Sequence, residues 1–107
     1  MDPFYIKRGD RLPYLEAALS DEGGSLTTLA GATVHFVMRK KGDTTATVRG
    51  LATIVNAAAR TVRYEWAAGD TGVTGLYRAE FEVNFGGRPW TFPNPGFIPV
   101  NVVEDQG

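Results

Sequence analysis

The sequence has no cysteine, which excludes disulfides, zinc–thiolate sites and thiol nucleophiles together. It has no surplus of either charge: 11 Lys and Arg stand against 12 Asp and Glu, a formal net charge of −1. Nucleic-acid binders neutralise phosphates with a net basic face, so polyanion binding has no global support. No apolar run approaches the roughly 20 residues of a helical membrane span. The opening Met1-Asp2-Pro3-Phe4 lacks the charged head and apolar core of a secretory signal. No Asn-x-Ser/Thr acceptor occurs. Neither nucleic acid nor a membrane is an expected partner.

What is there is ordinary for a globular protein: 107 residues, 43% hydrophobic and 21% charged. That length fits one domain over 1–107. A chain of this size buries about two-thirds of its unfolded surface, enough for one core. A deep cleft between lobes is not expected.

Short apolar-alternating runs separated by Gly, Asp, Asn and Pro clusters are the all-β pattern. Phe4 to Lys7 is a short opening strand, and Pro13 to Ser20 alternates with Leu15, Ala17 and Leu19 on one face. Thr33 to Lys40 points Val34, Phe36 and Met38 one way. A weaker strand follows from Thr45 to Leu51, with room to run on to Val55. Thr61 to Trp66 turns Val62, Tyr64 and Trp66 inward. From Leu76 to Phe85 the alternation is clearest, with Tyr77, Ala79, Phe81, Val83 and Phe85 against Arg78, Glu80, Glu82 and Asn84. Gly86-Gly87 suits a two-residue hairpin turn, which needs positive φ. Pro89 to Phe92 and Phe97 to Val103 close the chain, and the intervening prolines imply a bulge or an edge. About seven short strands at this spacing predict an immunoglobulin-like sandwich of two antiparallel sheets. Tyr77, preceded by Asp70 and Gly75, echoes the tyrosine-corner region of such domains.

The chemistry-bearing residues form no catalytic set. His35 is the single histidine, and it alternates against Val34, Phe36 and Met38, toward solvent or an interface. A triad needs a base, an orienter and a nucleophile converging in space, and a metal needs further ligands. Glu80 and Glu82 share a strand face, about 7 Å apart at ~3.3 Å rise per residue. Arg78 shares that face, and Arg63 and Glu65 are placed on a neighbouring strand, so a solvated charge ladder accounts for all five. Asp21, Asp43 and Asp70 fall in turns, where Asp caps the backbone. Arg39-Lys40-Lys41 is a basic hairpin tip without aromatics arranged for base stacking. No catalytic, cofactor-binding or metal-binding residue is assigned, and no cofactor is expected.

Two segments offer more. Phe4, Tyr5 and Ile6 place three bulky side chains near the N-terminus, and Trp90, Phe92 and Phe97 place aromatics beside prolines. Core closure by edge strands is one reading. The other is a partner interface made of these six residues, since exposed aromatics and open edges favour contacts between chains.

Several blocks resemble the phage baseplate upper protein N-terminal domain family. They are Leu29-Ala30-Gly31-Ala32-Thr33-Val34-His35-Phe36-Val37-Met38-Arg39, Val62-Arg63-Tyr64-Glu65-Trp66, and Gly69-Asp70-Thr71 with Gly75-Leu76-Tyr77-Arg78-Ala79-Glu80-Phe81-Glu82-Val83. Thr91-Phe92-Pro93, Phe97-Ile98-Pro99-Val100 and Ile6-Lys7-Arg8-Gly9-Asp10 extend the resemblance over nearly the whole chain. It implies an immunoglobulin-like, non-enzymatic structural domain of a bacteriophage virion, in the tail or baseplate. It would assemble in the host cytoplasm and pack in several copies against itself or other phage structural proteins. Two alternatives stay open: a neck or capsid decoration protein, and a host-surface or carbohydrate-binding module that stacks sugars on Trp90, Phe92 and the loops beside Tyr77.

Overall fold

Alternating apolar residues let a strand bury one face while its backbone pairs sideways, and among the described residues nine strands form this way. The computed structural model describes residues 2–21, 23–93 and 96–105. In chain order the strands are β1 (Phe4–Lys7), β2 (Leu15–Ala18), β3 (Thr33–Lys40), β4 (Val48–Leu51), β5 (Thr53–Asn56), β6 (Thr61–Tyr64), β7 (Gly75–Phe85), β8 (Arg88–Phe92) and β9 (Ile98–Val103). They make an all-β sandwich. One sheet runs β1-β9-β7-β3-β4, with β8 also paired to β7; the other runs β2-β6-β5.

The longest strand, β7, organises the larger sheet. On one side it pairs antiparallel with β3 from Thr33↔Asn84 to Lys40↔Tyr77. On the other side β9 pairs with its first half and β8 with its second. The turn between β7 and β8 is Gly86-Gly87, with φ of 58° and 90°, the left-handed values a two-residue hairpin requires. β8 and β9 therefore lie end to end along one flank of β7, and β1 closes the sheet edge beside β9.

The core lies between the sheets. Val34, Phe36 and Met38 of β3 and Tyr77, Ala79, Phe81 and Val83 of β7 face Leu15, Val62 and Tyr64 of the smaller sheet, all buried. Phe36 stacks on Tyr64 across the sandwich at 4.4 Å between ring centroids, and meets the Trp66 ring edge-on at 5.6 Å. The indole N–H of Trp66 donates to the Pro13 carbonyl at 3.1 Å, so its polar end is satisfied. Gly50 of β4 makes room for this cluster, because a Cβ there would sit 2.9 Å from the Tyr64 ring. The Tyr77 hydroxyl donates to the Val73 carbonyl, four residues upstream, at 2.6 Å.

Three expectations are corrected. The run from Thr45 toward Val55 is not one strand: the chain leaves one sheet after Leu51 and enters the other at Thr53, around buried Ala52. The larger sheet is mixed rather than antiparallel, because β1 runs parallel to β9, Phe4↔Val100 to Lys7↔Val103. Arg63 and Glu65 do not neighbour Glu80 and Glu82, since β6 belongs to the opposite sheet.

Candidate functional site

The six candidate interface residues divide between core and surface. Ile6 is 3% exposed and Phe92 1%, so these two offer no surface to a partner and are removed from the interface. Both sit at strand positions that alternate inward, where apolar side chains meet the opposite sheet. Phe4 and Trp90 are half-buried and pack against the core cluster. Tyr5 and Phe97 are exposed. Of the two aromatics named for sugar stacking beside the Tyr77 loops, Phe92 is buried, and the Trp90 and Phe92 rings tilt at 40° to each other rather than lying coplanar.

Tyr5 and Phe97 instead open onto one hollow of about 350 Å³ on the outer face of the larger sheet. The register builds it. Asn101 of β9 lies between Tyr5 of β1 and Leu76 of β7, and one step along the sheet Arg78 lies beside Pro99. Pro99 and Asn101 line the floor; Pro3 and Tyr5 line one wall, and Leu76, Lys41, Arg78 and Phe97 line the other. The Arg78 guanidinium sits 4.7 Å from the centre of the Phe97 ring, a cation–π contact. Lys41 is placed at the rim by its backbone N–H, which donates to the Leu76 carbonyl at 2.8 Å.

Strong local bonds hold the β1 side in place. Arg8 donates its backbone N–H to the Val103 carbonyl at 2.7 Å, and its guanidinium reaches Glu104 and Asp105 at 3.2 and 3.3 Å. The buried Thr71 hydroxyl donates to the Asp10 carbonyl at 2.8 Å. The trough wall at Tyr5 is thus part of the folded sheet.

Elsewhere the charged side chains answer one another. Arg49 bonds Glu82 at 2.9 Å, and Arg39 lies 3.9 Å from Glu80. That hydrogen bond is the main reason the Glu82 carboxyl is held below the usual carboxylate range. On the other sheet Arg63 lies 3.6 Å from Glu16 and 3.2 Å from Glu65. His35 lies between Leu51 and Glu82 in register and is partly covered. The turn aspartates cap as expected. Asp21 accepts from the Leu26 N–H at 2.9 Å, which lowers its pKa. Asp70 accepts from the Ala67 N–H at 2.8 Å and from the Tyr64 hydroxyl at 2.6 Å. Burial first, and then that bond to Asp70, push the Tyr64 phenol well above its ordinary range. Tyr77 is also raised, by burial and then by the charge of Asp43.

Sequence reasoning missed Leu76, Lys41 and Arg78 as parts of one surface. A signal was present: along β7 the outward positions read Leu76, Arg78, Glu80, Glu82 and Asn84, and Leu76 is the one apolar residue among them. The proximity of Lys41 and Phe97 to that residue depends on pairing across three strands and has no local signature.

No protein-family profile, curated protein or solved structure matches the chain.

Proposed function

We propose that this chain is a non-enzymatic structural domain of a bacteriophage virion, working in the tail or baseplate by packing against other virion proteins. The observation that carries the assembly reading is the trough. Three large apolar side chains, Tyr5, Leu76 and Phe97, are left 61%, 52% and 38% exposed around one hollow at a sheet edge. Exposed apolar surface gathered in this way marks interaction sites. The phage assignment rests on the resemblance carried by the blocks from Leu29 to Arg39, Val62 to Trp66 and Gly69 to Val83.

The immunoglobulin-like reading belongs to the same proposal. Strand orders β1-β9-β7-β3-β4 and β2-β6-β5 and the Tyr77–Val73 bond support it, since both follow the pattern of such sandwiches. The carboxylates support a structural role by what they do: Glu16, Glu65, Glu80 and Glu82 each engage an arginine on an exposed sheet face.

Cryo-electron microscopy of the phage particle whose genome encodes the chain, with mass identification of its components, tests this reading. Density for a nine-stranded domain of this topology, in several copies at the tail or baseplate, is the expected result. Density at the neck or capsid would move the position while keeping the role. Absence from the purified particle would overturn it.

A further inference from the structure

We propose that the trough over β1, β9 and β7 receives an extended segment of a partner protein in which an apolar side chain stands next to an acidic one. This rests on the assembly reading above and names the chemistry of the partner. The apolar half of the argument is the lining. Tyr5, Leu76, Phe97 and Pro99 surround an open hollow of about 350 Å³ whose polar side-chain groups are those of Asn101, Lys41, Arg78 and the hydroxyls of Tyr5 and the buried Tyr77. An aliphatic or aromatic side chain laid there would be removed from water on several sides.

The acidic half comes from the cations. Among the described residues, Arg39 and Arg49 of the same sheet face have carboxylate partners, whereas Lys41 and Arg78 have none. Both line the trough. The Arg78 guanidinium carbon lies 4.7 Å from the centre of the Phe97 ring, and a guanidinium stacked on an aromatic ring keeps N–H donors for a carboxylate. Asp43 and Glu80 line the adjoining hollow with Arg39 and Lys40, and Arg78 and Phe97 are shared between the two hollows, so an incoming carboxylate is favoured on the Lys41 side, away from Asp43 and Glu80.

A second copy of the chain fits less well. Glu65, which lines a hollow with Leu12 and Tyr14, is already held by Arg63, and so is Glu16. Glu104 and Asp105 are likewise held by Arg8. A sugar also fits less well, because Arg78 covers one face of the Phe97 ring. Two cations beside an apolar floor are too few for a nucleic-acid backbone.

The test uses two series of short synthetic peptides titrated into the isotope-labelled protein and followed by amide chemical shifts. One series carries Leu, Phe or Tyr next to Asp or Glu; the other replaces the acid with Asn or Gln. The acidic series is expected to shift Tyr5, Leu76 and Asn101 and to bind about tenfold tighter than the amide series, with the difference shrinking as salt rises. The surface double variant Lys41→Glu/Arg78→Glu should abolish that preference, and Leu76→Ser should weaken both series. Equal binding of the two series, shifts confined to other surfaces, or no binding by either would overturn the proposal. So would sedimentation showing a dimer whose contact covers Tyr5 and Leu76, because a second copy would then be the occupant. Peptide failure with the chain present in the particle removes this inference alone. Peptide binding with the chain absent from the particle removes the assembly reading alone.

Discussion

The outer face of the larger sheet changes character at β7. Toward β3 and β4 its charges are matched: Arg39 with Glu80, Arg49 with Glu82. Toward β9 and β1 it exposes Tyr5, Leu76 and Phe97 and carries Lys41 and Arg78 without a carboxylate. In the first half neighbouring charges cancel across strands, and its one large exposed apolar side chain among the described residues is Leu51, beside His35 and lining no hollow with others. The second half leaves apolar area and positive charge unanswered within the chain. One continuous sheet supports both, so the contrast is one of side-chain choice rather than of folding.

That last point is open to direct attack, and the largest effects test it. Phe36 lies beneath the matched half and Ile6 beneath the unmatched half, both essentially buried. Phe36→Ala should destabilise by roughly 3–5 kcal/mol and Ile6→Ala by roughly 2–5 kcal/mol, since each removes core atoms and leaves a cavity. Urea unfolding of the two variants reads this. Should Ile6→Ala leave the midpoint unmoved, β1 would be a loosely attached flap, and the comparison of two equally folded halves would collapse.

A smaller effect sharpens the description of the matched half. At Gly50 an added methyl would lie 2.9 Å from Tyr64 Cε1 and 3.0 Å from its hydroxyl oxygen. Gly50→Ala should therefore displace the ring from its stack on Phe36 and cost about 1–3 kcal/mol, the usual range for overpacking. A thermal melt of this variant indistinguishable from the parent would mean that β4 yields easily, and that the half with matched charges is the softer one.

The Tyr64 hydroxyl adds a pH signature beneath the same half. Its folded-state pKa is raised from 10.0 by burial and by the bond to Asp70. The neutral phenol is therefore the form the fold favours, so this contribution is intact below about pH 10 and declines as pH rises beyond it. Tyr64→Phe should cost about 1–3 kcal/mol at neutral pH, as expected for a hydrogen bond to a charged acceptor. It should also flatten the alkaline fall in stability relative to the parent. Parallel alkaline profiles for the two proteins would mean that the Tyr64 phenol is not raised in the folded state, which overturns its burial and its bond to Asp70 together.

Much of this was legible in the sequence, for a physical reason. β7 alternates, and β3 does so except at buried Val37, because each has one face toward the core, so periodicity alone located Phe36, Met38, Tyr77 and Phe81 there. Gly86-Gly87 was legible because few residues tolerate two successive positive φ values. The division of the segment around Ala52 was not, because a strand that changes sheets keeps extended backbone geometry on both sides of the crossing. The interface residues were half legible. Bulky apolar identity flagged Ile6 and Phe92 together with Tyr5 and Phe97, yet one-residue alternation decides which of them point inward, and around the prolines at 93 and 99 the register could not be counted. Lys41 and Arg78 escaped notice because nothing local in the chain says that a basic turn will meet the flank of β9.

The smallest expected effects bear most directly on the contrast between the halves. Glu82→Gln removes half of the Arg49 ion pair, which is partly exposed on both sides, so it should cost no more than about 1 kcal/mol. Because the hydrogen bond from Arg49 holds the Glu82 carboxyl below its ordinary value of 4.5, this contribution is present above about pH 4.5 and fades as pH falls, so parent and variant should converge in acid. Leu76→Ser on the other half should change stability by less than about 0.5 kcal/mol, since the side chain is half exposed and already pays the cost of contact with water. The two substitutions should thus separate by readout: Glu82→Gln alters the acid limb of the stability profile and leaves peptide binding at the trough intact, whereas Leu76→Ser does the reverse. A Leu76→Ser variant that is markedly less stable, with unchanged binding, would place Leu76 among the residues that hold the sheet together, and the unmatched half would then be an edge of the core rather than a surface kept for a partner.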